Sequence, residues 1–164
     1  MAIALAVIAL DQLTKHWAVT SLGTDREIDL FWTLRLNLAF NNGMAFGQGQ
    51  GFGPVIAVIA TVVIVYLLVS LQTESSPMGT IGMGLLIGGA AGNLIDRLFR
   101  GDDGFLQGGV VDFIDLQWFP IFNIAYIAIN VGALLLIINS IVTSRTHRRD
   151  DSDEPVADDA SSST

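Results

Sequence analysis

Four stretches of the chain are apolar for long enough to cross a bilayer, where a helix needs roughly 20 residues to span about 30 Å of hydrocarbon. They cover about 1–19, 53–71, 78–98 and 119–142. The first carries Asp11 and Lys15 within it. It has no basic leading region and no small-x-small cleavage site, so it is expected to be a retained span. The second is Val, Ile, Ala and Leu without a charge, opened by Pro54, a residue tolerated in a first helical turn. The third is punctuated by Gly79, Gly82, Gly84, Gly88, Gly89 and Gly92. Small residues let helix backbones approach closely, so this is expected to be the buried helix of the bundle. The fourth is followed by Arg145, His147, Arg148 and Arg149, and the positive-inside bias places that end in the cytoplasm.

With an even span count the N-terminus is cytoplasmic too. Segments 20–52 and 99–118 then lie outside, and the short link 72–77 lies inside. Within the first outer segment, Ile28, Leu30, Trp32, Leu34, Leu36 and Leu38 alternate with other residues, which predicts a strand. Asn41-Asn42-Gly43 is a turn signal that would close a hairpin after it. Trp17, Trp32 and Trp118 fall near the outer span ends, where aromatic belts sit. The pattern thus predicts an all-α membrane protein: a four-helix transmembrane bundle with a small extracytoplasmic β-sheet or hairpin region at about 25–50.

Composition agrees. Of 164 residues 51% are hydrophobic and 15% charged, and mean hydropathy is +0.56, too little polar surface for a soluble domain of this size. The net charge of −8 is concentrated in Asp150, Asp151, Asp153, Glu154, Asp158 and Asp159. Residues 150–164 cannot bury a core and read as a disordered acidic tail, leaving 1–149 as one membrane domain with a charge of about −2. Such a body has no electrostatic footprint for nucleic acid. With no Cys, thiol chemistry and disulfides are excluded. No His or Cys ligand set marks a catalytic zinc site, and no cofactor or metal is expected.

Polar groups at membrane depth are expensive and are retained when paired or used. Asp11-Gln12-Leu13-Thr14-Lys15 places Asp and Lys at i and i+4, an intrahelical ion pair in the simplest reading. Asn41-Asn42-Gly43-Met44-Ala45-Phe46 reads as a turn followed by an apolar anchor. In Gly92-Asn93-Leu94-Ile95-Asp96-Arg97, Asn93 shares a helix face with Asp96 and Arg97, and the adjacent Asp and Arg suggest a structural pair at a span end. Asp112, flanked by Val111 and Phe113, is a desolvated carboxylate suited to acid–base work, and Phe122-Asn123-Ile124-Ala125-Tyr126 follows on the next helix.

In this order, on four spans, these clusters resemble the signal peptidase II family, the lipoprotein signal peptidases, from Ala4 to Thr143. Asp11-Gln12, Thr14-Lys15, Asn41, Gly43, Ala45-Phe46, Gly92-Asn93, Asp96-Arg97, Val110-Val111-Asp112-Phe113 and Phe122-Asn123-Ile124-Ala125 carry the match. The resemblance implies an inner-membrane aspartyl endopeptidase that cuts diacylglyceryl-modified prolipoproteins just before the lipidated Cys. Prolipoproteins and membrane lipids would be its partners, and it would act as a monomer. It assigns Asp112 as one catalytic acid, with Asp11, Lys15, Asn41, Gly43, Asn93, Asp96, Arg97 and Asn123 binding substrate or supporting the site.

The family's second catalytic Asp falls at Tyr126. A carboxylate pair works by sharing one proton, which a phenol does not reproduce. Three readings follow: an inactive homologue that binds precursors, a site in which Asp115 or Asp96 supplies the second carboxylate, or slow turnover with Tyr126 as the electrophile beside Asp112. A small membrane transporter, which also places acids and glycines in a bundle, is the alternative of another class. Against it, the acids gather toward one membrane face and no internal repeat is visible.

Overall fold

A computed structural model describes residues 1–23, 26–43, 52–100, 106 and 108–152. Four helices, α1 (Ala2–Leu22), α2 (Gly53–Ser70), α3 (Pro77–Phe99) and α4 (Ile124–Ser152), and three strands, β1 (Ile28–Phe31), β2 (Leu34–Asn41) and β3 (Val110–Asp115), follow in the order α1-β1-β2-α2-α3-β3-α4. Each helix is long and apolar enough to cross a membrane, over Ile124–Arg145 in α4. Ala45-Phe46 and the acidic run beyond Ser152 lie outside the described residues.

The central helix is α3, which packs on α1, α2 and α4. Its glycines make that possible. A Cβ on Gly89 would sit 2.5 Å from the Ala125 carbonyl oxygen of α4, and one on Gly92 would sit 2.5 Å from Asp11 Oδ2 of α1. Gly92 therefore leaves the space into which the Asp11 carboxylate reaches. At the other end Ser76 caps α3, accepting from Gly79 N, and its hydroxyl lies 2.6 Å from Asn139 Oδ1 on α4.

Helix α4 begins at Ile124, five residues later than hydropathy indicates. The reason is local. Residues 116–122 fold back along β3, with Gln117 in a left-handed conformation (φ 66°) and its N–H on Asp115 Oδ1. Phe122 then exchanges backbone hydrogen bonds with Ile114. At its other end α4 continues through Asp150 and Asp151 to Ser152, where the sequence pattern places the start of the tail.

The three strands form one antiparallel sheet, ordered β1-β2-β3. The predicted single strand over 28–40 is two strands: the chain turns at Trp32-Thr33, with Trp32 at φ 50°. Among the described residues Asn41-Gly43 closes no hairpin. It ends β2, whose second partner is the distant β3. The sheet packs on the C-terminal end of α1 through Ala18, Leu22, Val111 and Phe113, with Trp17 edge-on to Phe113 at 6.5 Å.

Candidate active site

Strand β3 alternates, so Val111 and Phe113 enter the apolar core while Asp112 points to the opposite side. That side faces a cavity of about 510 Å³ between the sheet, α3 and the start of α4. Asn41, Asn93, Arg97, Asp112 and Asn123 supply its polar lining, and Ile56, Phe119, Phe122, Tyr126 and Ile129 much of its apolar lining. The Asp112 side chain is almost fully enclosed. Its Oδ1 accepts from Asn123 Nδ2 at 2.6 Å and its Oδ2 from Asn41 Nδ2 at 3.2 Å.

Burial pushes Asp112 up to about 6, against the opposing pull of the Asn41 and Asn123 hydrogen bonds and of the Lys15 charge. A carboxyl group poised there exchanges a proton readily near neutral pH, the property a general base requires.

Asn123 is held by the helix it begins. Its Oδ1 caps the first turn of α4 by accepting from Tyr126 N at 2.8 Å, while Asp11 Oδ1, from α1, accepts from Ala125 N at 2.9 Å. With its oxygen committed to a backbone donor, Asn123 turns Nδ2 toward Asp112 Oδ1, the Val111 carbonyl and Asn93 Oδ1. The Phe-Asn-x-Ala run thus unites a strand return, a helix cap and a ligand for Asp112.

Beneath the cavity lies a closed ionic cluster. Lys15 Nζ is 2.8 Å from Asp11 Oδ2 and 2.8 Å from Asp96 Oδ2, all three side chains being fully buried. Asp96 also takes Arg100 Nε at 2.7 Å, Gln12 Nε2 at 3.2 Å and the Val111 N–H at 3.1 Å. Two cations balance two anions, and the Val111 contact fastens β3 to α3 one residue before Asp112.

The Asp11–Lys15 pair is present as the spacing indicates. The adjacent Asp96 and Arg97 are not a pair: Asp96 joins Lys15 and Arg100, one residue apart on a helix being too far round the axis to face each other. Arg97 instead donates to the Gly43 carbonyl at 3.3 Å and the Asn93 carbonyl at 3.4 Å, anchoring the end of β2 to α3. Gly43 N in turn donates to Asn41 Oδ1, which orients the Asn41 amide toward Asp112. Sequence reasoning passed over Gln12 as a working residue and Arg100 altogether. The i and i+4 spacing of Arg100 from Asp96 was the available signal.

Tyr126 lines the cavity with Asp112. Its ring packs on Phe122 at 5.8 Å and Phe119 at 6.1 Å, and among the described residues no hydrogen bond reaches its hydroxyl. Neither substitute carboxylate is available. Asp96 is consumed by the ionic cluster. Asp115, three residues after Asp112, faces the other side of β3, where Arg35 Nε binds it at 2.6 Å. Although burial opposes it, hydrogen bonds from Arg35, Gln117 N and Asn37 hold Asp115 below the usual carboxylate range.

Comparison with known proteins identifies the family. The profile of the signal peptidase (SPase) II family matches residues 3–142. A lipoprotein signal peptidase of Mycobacterium avium is 39% identical over 142 residues, covering 86% of this chain and 78% of that protein. One from Rhodococcus jostii is 38% identical over 141 residues, covering 85% and 71%. Among solved structures, a bacterial membrane enzyme determined in meso at 2.3 Å superposes with a TM-score of 0.76 at 27% identity, covering 98% of this chain and 93% of that one. A second, at 1.9 Å, gives 0.70 at 31% identity, covering 84% and 89%.

Proposed function

The chain belongs to the signal peptidase II family, and on that premise we propose that it hydrolyses diacylglyceryl-modified prolipoproteins with Asp112 as its sole catalytic carboxylate. It is a bacterial membrane protein and an aspartic-type lipoprotein signal peptidase by descent; the transporter reading loses its footing. The observation that carries the mechanism is Asp112, enclosed in the cavity, held by two amides and poised at about 6.

In the reaction, ionised Asp112 takes a proton from water as the water oxygen adds to the scissile carbonyl carbon. The Tyr126 hydroxyl donates a hydrogen bond to the carbonyl oxygen as negative charge gathers there. Collapse of the tetrahedral species breaks the C–N bond, and Asp112 returns its proton to the departing amine of the lipidated cysteine. A phenol in place of an acid makes this turnover slow. Lys15, Asp11 and Asp96 support the site from below, while Asn41, Gly43, Asn93, Arg97 and Asn123 order its polar wall.

The test is cleavage of a synthetic lipidated precursor by the purified protein across pH. Because burial favours neutral Asp112, the base form is lost as pH falls through about 6, so the rate should rise tenfold per unit below that point and level off above about 7. A rate that stays flat down to pH 4 contradicts Asp112 as the base.

The same reading places the protein in the cytoplasmic membrane as a single body, with both termini inside and the sheet outside. Reporter fusions after Arg145 should register as cytoplasmic and insertions at Thr33 as external. An external C-terminus would invert the arrangement and put the site on the wrong face for exported precursors.

A further inference from the structure

The geometry points to Asn93 as a catalytic residue: its amide Nδ2 is a second hydrogen-bond donor, beside the Tyr126 hydroxyl, for the oxygen of the scissile carbonyl. The inference rests on the function proposed above. Its argument begins with which way the amide must face. Asn93 Oδ1 lies 2.9 Å from Lys15 Nζ and 3.1 Å from Asn123 Nδ2. An ammonium has only donors, and Asn123 is itself fixed by giving its oxygen to Tyr126 N. Both neighbours therefore demand the oxygen of Asn93, and the amide cannot be reversed.

The Asn93 NH₂ group is left over. Asn93 lines the cavity together with Asp112 and Tyr126, and among the described residues no acceptor takes a hydrogen bond from its Nδ2. No buried side-chain nitrogen or oxygen lacks a partner among them either, so Nδ2 is not sealed in the interior, and the inference places it toward the cavity that Asn93 lines. It is oriented before substrate arrives, by a chain running Lys15–Asn93–Asn123–Asp112, and costs no reorganisation as charge develops. A donor there compensates in part for the acid that Tyr126 replaces.

The test removes the donor and reads kcat apart from KM. Asn93→Ala leaves Lys15 its two carboxylates and Asn123 the Val111 carbonyl and Asp112, so folding should survive. Asn93→Leu, closer in shape, is the second variant should the first not fold. Either folded variant should lose roughly a hundredfold in kcat on the lipidated precursor, with KM changed less than about threefold, because the interaction is made in the transition state. In a Tyr126→Asp background the same loss should shrink below about tenfold, both groups then acting on one oxygen. An unchanged kcat, or a loss confined to KM, overturns the role of Asn93 while leaving the proposed function standing. Absence of cleavage by both the parent chain and its Tyr126→Asp variant overturns the function, and this inference with it.

Discussion

Tyr126→Asp should raise the rate of prolipoprotein cleavage by roughly two to four orders of magnitude, the range that a positioned acid contributes. Tyr126 sits three residues after the Asn123 cap, on the turn of α4 that borders the cavity. A carboxyl group at that position faces the same space as Asp112. Two acids so placed share one proton: one stays ionised to activate water and the other donates to the carbonyl. Each factor of ten corresponds to about 1.4 kcal/mol of barrier, so the expected change is far outside experimental scatter. The aromatic packing of Tyr126 on Phe119 and Phe122 is lost in the exchange, and a modest loss of thermal stability should accompany the gain in rate. Equal rates for the two chains would mean that the phenol already does the work of the acid.

The second large effect is on stability. Lys15→Met should destabilise the protein by roughly 3–5 kcal/mol, the cost of removing one partner from a buried ionic group. Lys15, Asp11 and Asp96 are wholly enclosed, and without the ammonium the two carboxylates keep, among the described residues, Arg100, Gln12 and backbone N–H groups to face them. Thermal unfolding in detergent measures this directly. A loss below about 1 kcal/mol would show that the cluster relaxes or takes up protons without strain. The loss of Lys15 should also release Asn93, so the variant that does fold should cleave more slowly.

The helices were legible because lipid imposes a simple rule: backbone groups must be satisfied within the segment, and side chains facing hydrocarbon must be apolar. That rule announces four spans and even the central one, through its glycines. It says less about the sheet. Strand β3 is apolar on both faces except at Asp112 and Asp115, so the alternation that marks a half-buried strand is absent. The hairpin was misplaced for a related reason. Trp32 occupies a turn position where Gly or Asn is usual, and the ready Asn41-Asn42-Gly43 signal drew the turn to the wrong end of β2.

At the site, the Asp11–Lys15 spacing and the desolvated Asp112 were readable locally. The partners were not. Asp96 choosing Lys15 and Arg100 over its neighbour Arg97, and Arg97 choosing a backbone carbonyl 54 residues away, are consequences of how α1, α3 and the sheet converge. Tyr126 stood out only against the resemblance, since nothing in its own surroundings marks it as a substitution.

The most direct measurement of the central claim is mass spectrometry of a lipidated precursor incubated with the unaltered chain and with Asp112→Asn. The unaltered chain should release, slowly, a product beginning at the lipidated cysteine, while Asp112→Asn, which keeps the shape of the side chain and removes the base, should release none above background. Cleavage by Asp112→Asn at the rate of the unaltered chain would contradict the account, because the one carboxylate among the described residues that lines the cavity would then be a bystander.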